Sequence, residues 1–166
     1  RGANVYAIEY DAELAEVARR SVLANDFGDK VKVINKNVLD FTLPNKISAD
    51  VVIMEMLDTG MVAEHQAEAI IALKKNGVIN ENTIILPGKI DFLVRAVNYD
   101  FNFYGFVMPI TIQARNFGAT KKITKVLGNF IKYRSIDFKQ LTSTELNEKV
   151  FLAVQSNGVM NAIELR

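Results

Sequence analysis

The chain has 166 residues, 49% of them apolar and 23% charged, and its 20 basic and 19 acidic side chains leave a formal net charge of +1. That balance belongs to an ordinary globular chain, long enough to bury a core in one domain or in two small ones. With no cysteine and a single histidine, His65, it excludes a disulfide framework, a zinc–thiolate site, a cysteine nucleophile and any centre needing two histidines.

Taken in chain order, Val5-Tyr6-Ala7-Ile8 is a buried-strand run closed by Glu9. Residues 11–26 carry a helix pattern, with Leu14, Val17, Ala18, Ser21 and Val22 on one face. Asp11 stands at its N-cap, Glu13 in its first turn, and Gly28 is the expected stop. Val31 to Ile34 alternates as a strand, and Ala49 to Met54 is an apolar run around Asp50 that leads to Glu55. A second helix is expected over 62–75, with Val62, Ala69, Ile70 and Leu73 inward and Lys74-Lys75 at its end. This alternation implies βαβ units on a parallel sheet.

The pattern changes after Pro87-Gly88. Ile90, Phe92, Val94 and Ala96 alternate onto one strand face, and further strands are expected at 108–113, 122–133 and 150–165. Pro109, Gly118, Gly128 and Asn157-Gly158 punctuate them. Two domains follow: a Rossmann-like α/β domain over 1–87 and an antiparallel β unit over 88–166. Charge is uneven, since residues 1–100 hold 15 acids and 11 bases while 101–136 hold six bases and no acid. No apolar run reaches the ~18 residues of a membrane span, and the N-terminus lacks a signal layout, so a cytoplasmic location and no membrane partner are expected.

Ligands of open α/β sheets sit outside the carboxyl ends of the strands. The residues ending the apolar runs are therefore the candidates: Glu9, then Lys36-Asn37-Val38-Leu39-Asp40, then Glu55. A carboxylate at such an end can accept hydrogen bonds from ribose hydroxyls. The alternative for Glu9 is a solvated strand end.

Val5-Tyr6-Ala7-Ile8-Glu9 resembles the second strand of class I S-adenosylmethionine-dependent methyltransferases. The resemblance implies that Glu9, with Tyr10 beside it, binds the cofactor ribose. It also implies that Asn37, where the family usually has Asp, and Val38 meet its adenine. Glu55 and Glu64, nine residues apart, resemble the double-glutamate loop of protein arginine methyltransferases. Ile84-Ile85-Leu86-Pro87 and Tyr104-Gly105-Phe106-Val107-Met108 resemble that family's link into its β-barrel. The resemblance covers nearly the whole chain and is weakest over 110–150. Two carboxylates suit a guanidinium, which is planar, always charged and bound through paired N–H···O bonds.

The loop departs from the usual Trp-Met-Gly-Tyr, having Met56, Leu57, Asp58 and Thr59 instead. The Thr-His-Trp loop has no counterpart, because the chain has no Trp. Residues 55–60 look more like archaeal relatives labelled predicted RNA methylases. The acceptor is thus open between a protein or peptide arginine and RNA, and the family implies a homodimer. Two other readings stand beside this one: a non-catalytic binding module, and an RNA-binding protein using the basic 115–134 segment with Phe117, Phe130 and Tyr133. The family's glycine-rich first motif would precede Arg1. The expectation is therefore a sheet missing its central strand and a chain that is part of a longer polypeptide.

Overall fold

The computed structural model describes residues 2–58, 64–109, 122–145 and 147–166, apart from the side chain of Lys46. The expected strand at 108–113, the turn at Gly118, and Val62, Arg115, Phe117 and Lys121 lie wholly or partly outside these residues. The chain divides into two compact units. The first is Arg1–Met54, Gln66–Leu86 and Leu141–Thr144, and the second is Glu55–His65, Pro87–Gln140 and Glu145–Arg166.

In the first unit β1 (Val5–Glu9) leads into α1 (Ala12–Ala24) and then β2 (Val31–Asn35). After two short 3-10 turns come β3 (Val51–Ile53), α2 (Gln66–Lys75) and β4 (Ile84–Leu86). β1 pairs with β2 and β3 with β4, both in parallel. Among the described residues these are two separate two-stranded sheets. Ala69, Ile70 and Leu73 of α2 are buried with Phe41, Val78 and Ile85. The other face of the β3–β4 pair is open: Val51, Ile53, Ile84 and Leu86 are 46%, 77%, 56% and 46% exposed.

α1 begins as its sequence dictates. The Asp11 side chain accepts hydrogen bonds from the Glu13 and Leu14 N–H groups at 2.8 and 2.9 Å, which satisfies two of the orphan donors of the first turn. The expected stop at Gly28 is not the one used. The helix ends at Asn25, and Asp26 turns left-handed with φ +58°. Asp26 N–H donates to the Leu23 carbonyl and Phe27 N–H to that of Val22. This is the Schellman arrangement, with an aspartate, which tolerates the left-handed region, in the place usually held by glycine.

The second unit is antiparallel. Its centre is β5 (Lys89–Tyr99), which pairs along different stretches with β9 (Ile131–Asp137), β8 (Ile123–Val126) and β10 (Ala162–Leu165). Among the described residues β10, β5 and β8 are neighbours in that order, and β9 pairs with β5 beside this path. Phe92, Val94 and Ala96 are buried on the expected face, and Val97, Leu127 and Phe138 join them. β6 (Asn102–Phe103) and β7 (Phe106–Val107) form a hairpin through Tyr104 and Gly105, at φ +54° and +89°. Positive φ at both central residues is what a tight two-residue hairpin loop requires.

The strand expected at 150–165 is regular only over Ala162–Leu165. The apolar run before it lies alongside Gly128, where an added Cβ would collide with the Ala153 carbonyl oxygen. There Gln155 N–H donates to the Leu127 carbonyl. Backbone contact at a glycine replaces the ladder that the pattern predicts.

Candidate functional site

The end of β1 is tightly built. In the parallel register Glu9 lies opposite Asn35, the last residue of β2. The Glu9 carbonyl accepts from Lys36 N–H at 3.0 Å and from the Asn35 carboxamide at 3.0 Å. The same carboxamide donates to the Tyr10 carbonyl at 2.8 Å. Glu9 Oε1 accepts from Asp11 N–H at 2.8 Å, so the carboxylate folds back over the start of α1. Its second oxygen has the chemistry to accept from a vicinal diol. The Tyr10 side chain is exposed.

The next strand end carries Asn37 and Val38. The Asn37 side-chain oxygen caps the turn Val38–Asp40 by accepting from Leu39 N–H at 3.0 Å. An amide oxygen has two lone pairs, so one acceptor position is left for a ligand N–H. Val38 is half-buried. The turn is held by Asn76, just past α2, whose carboxamide donates to the Leu39 and Phe41 carbonyls, both at 3.0 Å. Glu9, Tyr10, Asn37 and Val38 thus belong to one unit and to the ends of two adjacent strands.

Glu55 and Glu64 group with the second unit. Glu55 is exposed and directly follows the buried Met54. Glu64 is half-buried, and its N–H donates to Asp58 Oδ1 at 3.3 Å, which draws the two ends of the Asp58–Glu64 segment together. His65 is exposed, just before α2. Among the described residues no group of three His, Cys, Asp or Glu side chains could hold a metal ion, and no helix is long and apolar enough to cross a membrane.

The described basic side chains of 115–134 are engaged within their own unit. Lys122 pairs with Asp100 at 3.8 Å and Lys132 with Asp91 at 3.3 Å. Arg134 meets Glu148, and Lys125 donates to the Asn157 carbonyl. Asp91 is held below the ordinary carboxylate range by the Ser135 hydroxyl and then by Lys132. Burial raises the Tyr133 hydroxyl above its usual value.

Sequence reasoning missed Asn35 and Asn76. Their signal was present: a carboxamide closing an apolar strand, and an Asn-Gly pair just past a helix.

This is an α/β fold like that of the protein arginine methyltransferases. The chain matches the Trypanosoma brucei PRMT1 enzyme–prozyme heterotetrameric complex with AdoHcy at TM-score 0.62 and 16% identity, covering 82% of this chain and 46% of that one. It matches protein arginine methyltransferase 10 of Arabidopsis thaliana at TM-score 0.62 and 17% identity, covering 86% and 49%. In sequence it is 23% identical to an uncharacterized protein of Methanocaldococcus jannaschii over 162 residues, 98% of this chain and 57% of that protein. It is 40% identical to protein arginine N-methyltransferase 7 of Xenopus laevis over 63 residues, 36% of this chain and 9% of that protein. The chain therefore spans little more than half of the archaeal relative and about half of the solved structures. No family model matches it.

Proposed function

We propose that this chain carries the site of an S-adenosylmethionine-dependent methyltransferase acting on a nitrogen of an arginine-like protein or RNA acceptor. The observation that supports this most directly is the Glu9 carboxylate. It stands at the end of a parallel strand, is braced by Asp11 N–H, and belongs to the strand paired with the one that leads to the Asn37–Val38 turn. Glu9 would accept from the ribose hydroxyls, Tyr10 would flank the sugar, Asn37 would accept from the adenine amine and Val38 would pack on the purine. When bound, the cofactor supplies an electrophilic methyl group.

Glu55 and Glu64 are the proposed acceptor residues. They would hold a guanidinium through charge-assisted bonds and aim one nitrogen along the line of displacement. The nitrogen held by Glu55 and Glu64 would be the one that receives the methyl group and gives up a proton. A dimer, a cytoplasmic location and the division into domains at 1–87 and 88–166 belong to the same proposal. The non-catalytic reading rests on the altered residues Met56–Thr59 and predicts binding without turnover.

The test is a calorimetric titration with S-adenosylhomocysteine, followed by methyl-transfer assays on arginine peptides and on RNA. Micromolar binding weakened at least about tenfold by Glu9→Gln is expected, the size of one hydrogen bond to a charged group. Glu55→Gln should preserve that binding and abolish transfer. Absence of binding to the full-length protein overturns the cofactor assignment, and equal loss of binding and transfer in Glu55→Gln overturns the role of Glu55.

A further inference from the structure

We infer that Asn35 is a positioning residue for the ribose carboxylate, an inference that rests on the cofactor reading of Glu9 given above. Asn35 closes β2 and lies opposite Glu9 in the parallel register. A carboxamide has two N–H groups, and Asn35 directs its nitrogen at two consecutive carbonyls, Glu9 at 3.0 Å and Tyr10 at 2.8 Å. The Glu9 carbonyl takes Lys36 N–H as well, at 3.0 Å, so both of its lone pairs are used. The two peptide groups that follow β1 are thereby fixed from the neighbouring strand. The next N–H, that of Asp11, points at Glu9 Oε1 at 2.8 Å. The orientation of the carboxylate follows from the orientation of that N–H, and the orientation of that N–H follows from the clamp.

The burial of Asn35 argues that the clamp serves geometry more than stability. Asn35 is exposed, so water could satisfy its amide and both carbonyls, and asparagine is a poor strand residue. An exposed carboxamide contributes little to the core. What it does supply is a fixed path for three residues, Glu9, Tyr10 and Asp11, two of which are proposed to face the cofactor while the third caps the helix behind it. Preorganising an acceptor before a ligand arrives reduces the ordering cost of binding.

The experiment compares two ligands by calorimetry: S-adenosylhomocysteine, and its 2′,3′-dideoxy form, which lacks the hydroxyls that Glu9 would accept. Asn35→Asp keeps the shape and removes both donors. Asn35→Ala removes both donors without adding charge. Both variants are expected to weaken S-adenosylhomocysteine about tenfold, through the misplaced carboxylate, and to leave the dideoxy ligand within about twofold. Asn35→Gln keeps the donors on a longer stem and should recover part of the loss. Equal weakening of both ligands, or no weakening of either, overturns the positioning role. All titrations use the full-length protein; Glu9→Gln is measured alongside, and if it does not discriminate between the ligands, or if wild type binds neither, the cofactor reading itself falls. If Glu9→Gln discriminates and the Asn35 variants do not, only the present inference falls. Helical circular dichroism of each variant confirms that the same fold is being titrated.

Discussion

Thr83→Val tests how the strand leading to Glu55 is held in place. Thr83 is fully buried. Its hydroxyl donates to the Ala49 carbonyl at 2.8 Å and accepts from Asn80 N–H at 3.0 Å. Asn80 Oδ1 in turn accepts from the N–H groups of Asn82 and Thr83, at 2.8 and 3.1 Å. This knot ties the residues before β4 to those before β3. Valine has nearly the same volume and neither hydrogen bond. Each loss costs about 1 kcal/mol, and up to about 3 where the abandoned group stays dry, so about 2–4 kcal/mol is expected in total. At an m-value of about 2 kcal/mol per molar urea, the unfolding midpoint falls by roughly 1–2 M. Thr83→Ser keeps both bonds and gives up one methyl group, for about 1 kcal/mol. Because α1 and α2 belong to the first unit and the chain has no Trp, circular dichroism at 222 nm is the probe. A valine variant within about 0.5 kcal/mol of wild type, or a serine variant less stable than the valine one, would refute the reasoning, since packing would then outweigh the two bonds.

Three further outcomes are expected. Asp11→Ala removes the cap of α1 and should cost about 1 kcal/mol by urea unfolding, with a further few tenths from the lost negative charge at the helix start. Asp26→Gly places glycine at a left-handed position and should stabilise by about 0.5 kcal/mol, whereas Asp26→Ala, with neither advantage, should not. Asp91 has a lowered pKa in the folded chain, set by Ser135 and Lys132. Its contribution is therefore complete above the ordinary aspartate value of 3.8 and is lost as pH falls through the lowered one. The difference in unfolding midpoint between wild type and Asp91→Asn should accordingly hold from pH 7 to 5 and shrink below pH 4.

The order strand, helix, strand, strand, helix, strand in the first unit was readable from its apolar runs and helical spacing, but the expected burial was not: Leu14 and Val17 of α1 are exposed, Ala15 alone in that helix is buried, and no residue of β1 is buried. β1, β2 and β3 are short apolar runs, and α1 carries its own cap signal at Asp11. Where glycine chemistry was used alone it misled: Gly28 follows the helix, but Asp26 does the turning. The apolar run 150–154 looked like a strand, yet strand pairing is a property of two segments, and Gly128 offers that run a close backbone contact instead of a ladder. The site was legible only in part. Glu9 and Asn37 announce themselves by ending apolar runs. The carboxamides that fix their loops act across 26 and 35–37 residues of sequence, a separation that no local pattern encodes.

The open face of the β3–β4 pair has a colloidal consequence. Val51-Val52-Ile53-Met54 is a β-prone run without charge, bounded by Asp50 on one side and Glu55 on the other. Charges flanking such a run act as gatekeepers against self-association. Glu55 therefore carries a second duty beside any chemistry: replacing it with a neutral residue lengthens the uncharged stretch through Met56 and Leu57 to Asp58. Variants at Glu55 should lose soluble yield as well as turnover, and Glu55→Asp, which keeps the charge but shortens the reach, separates the two duties.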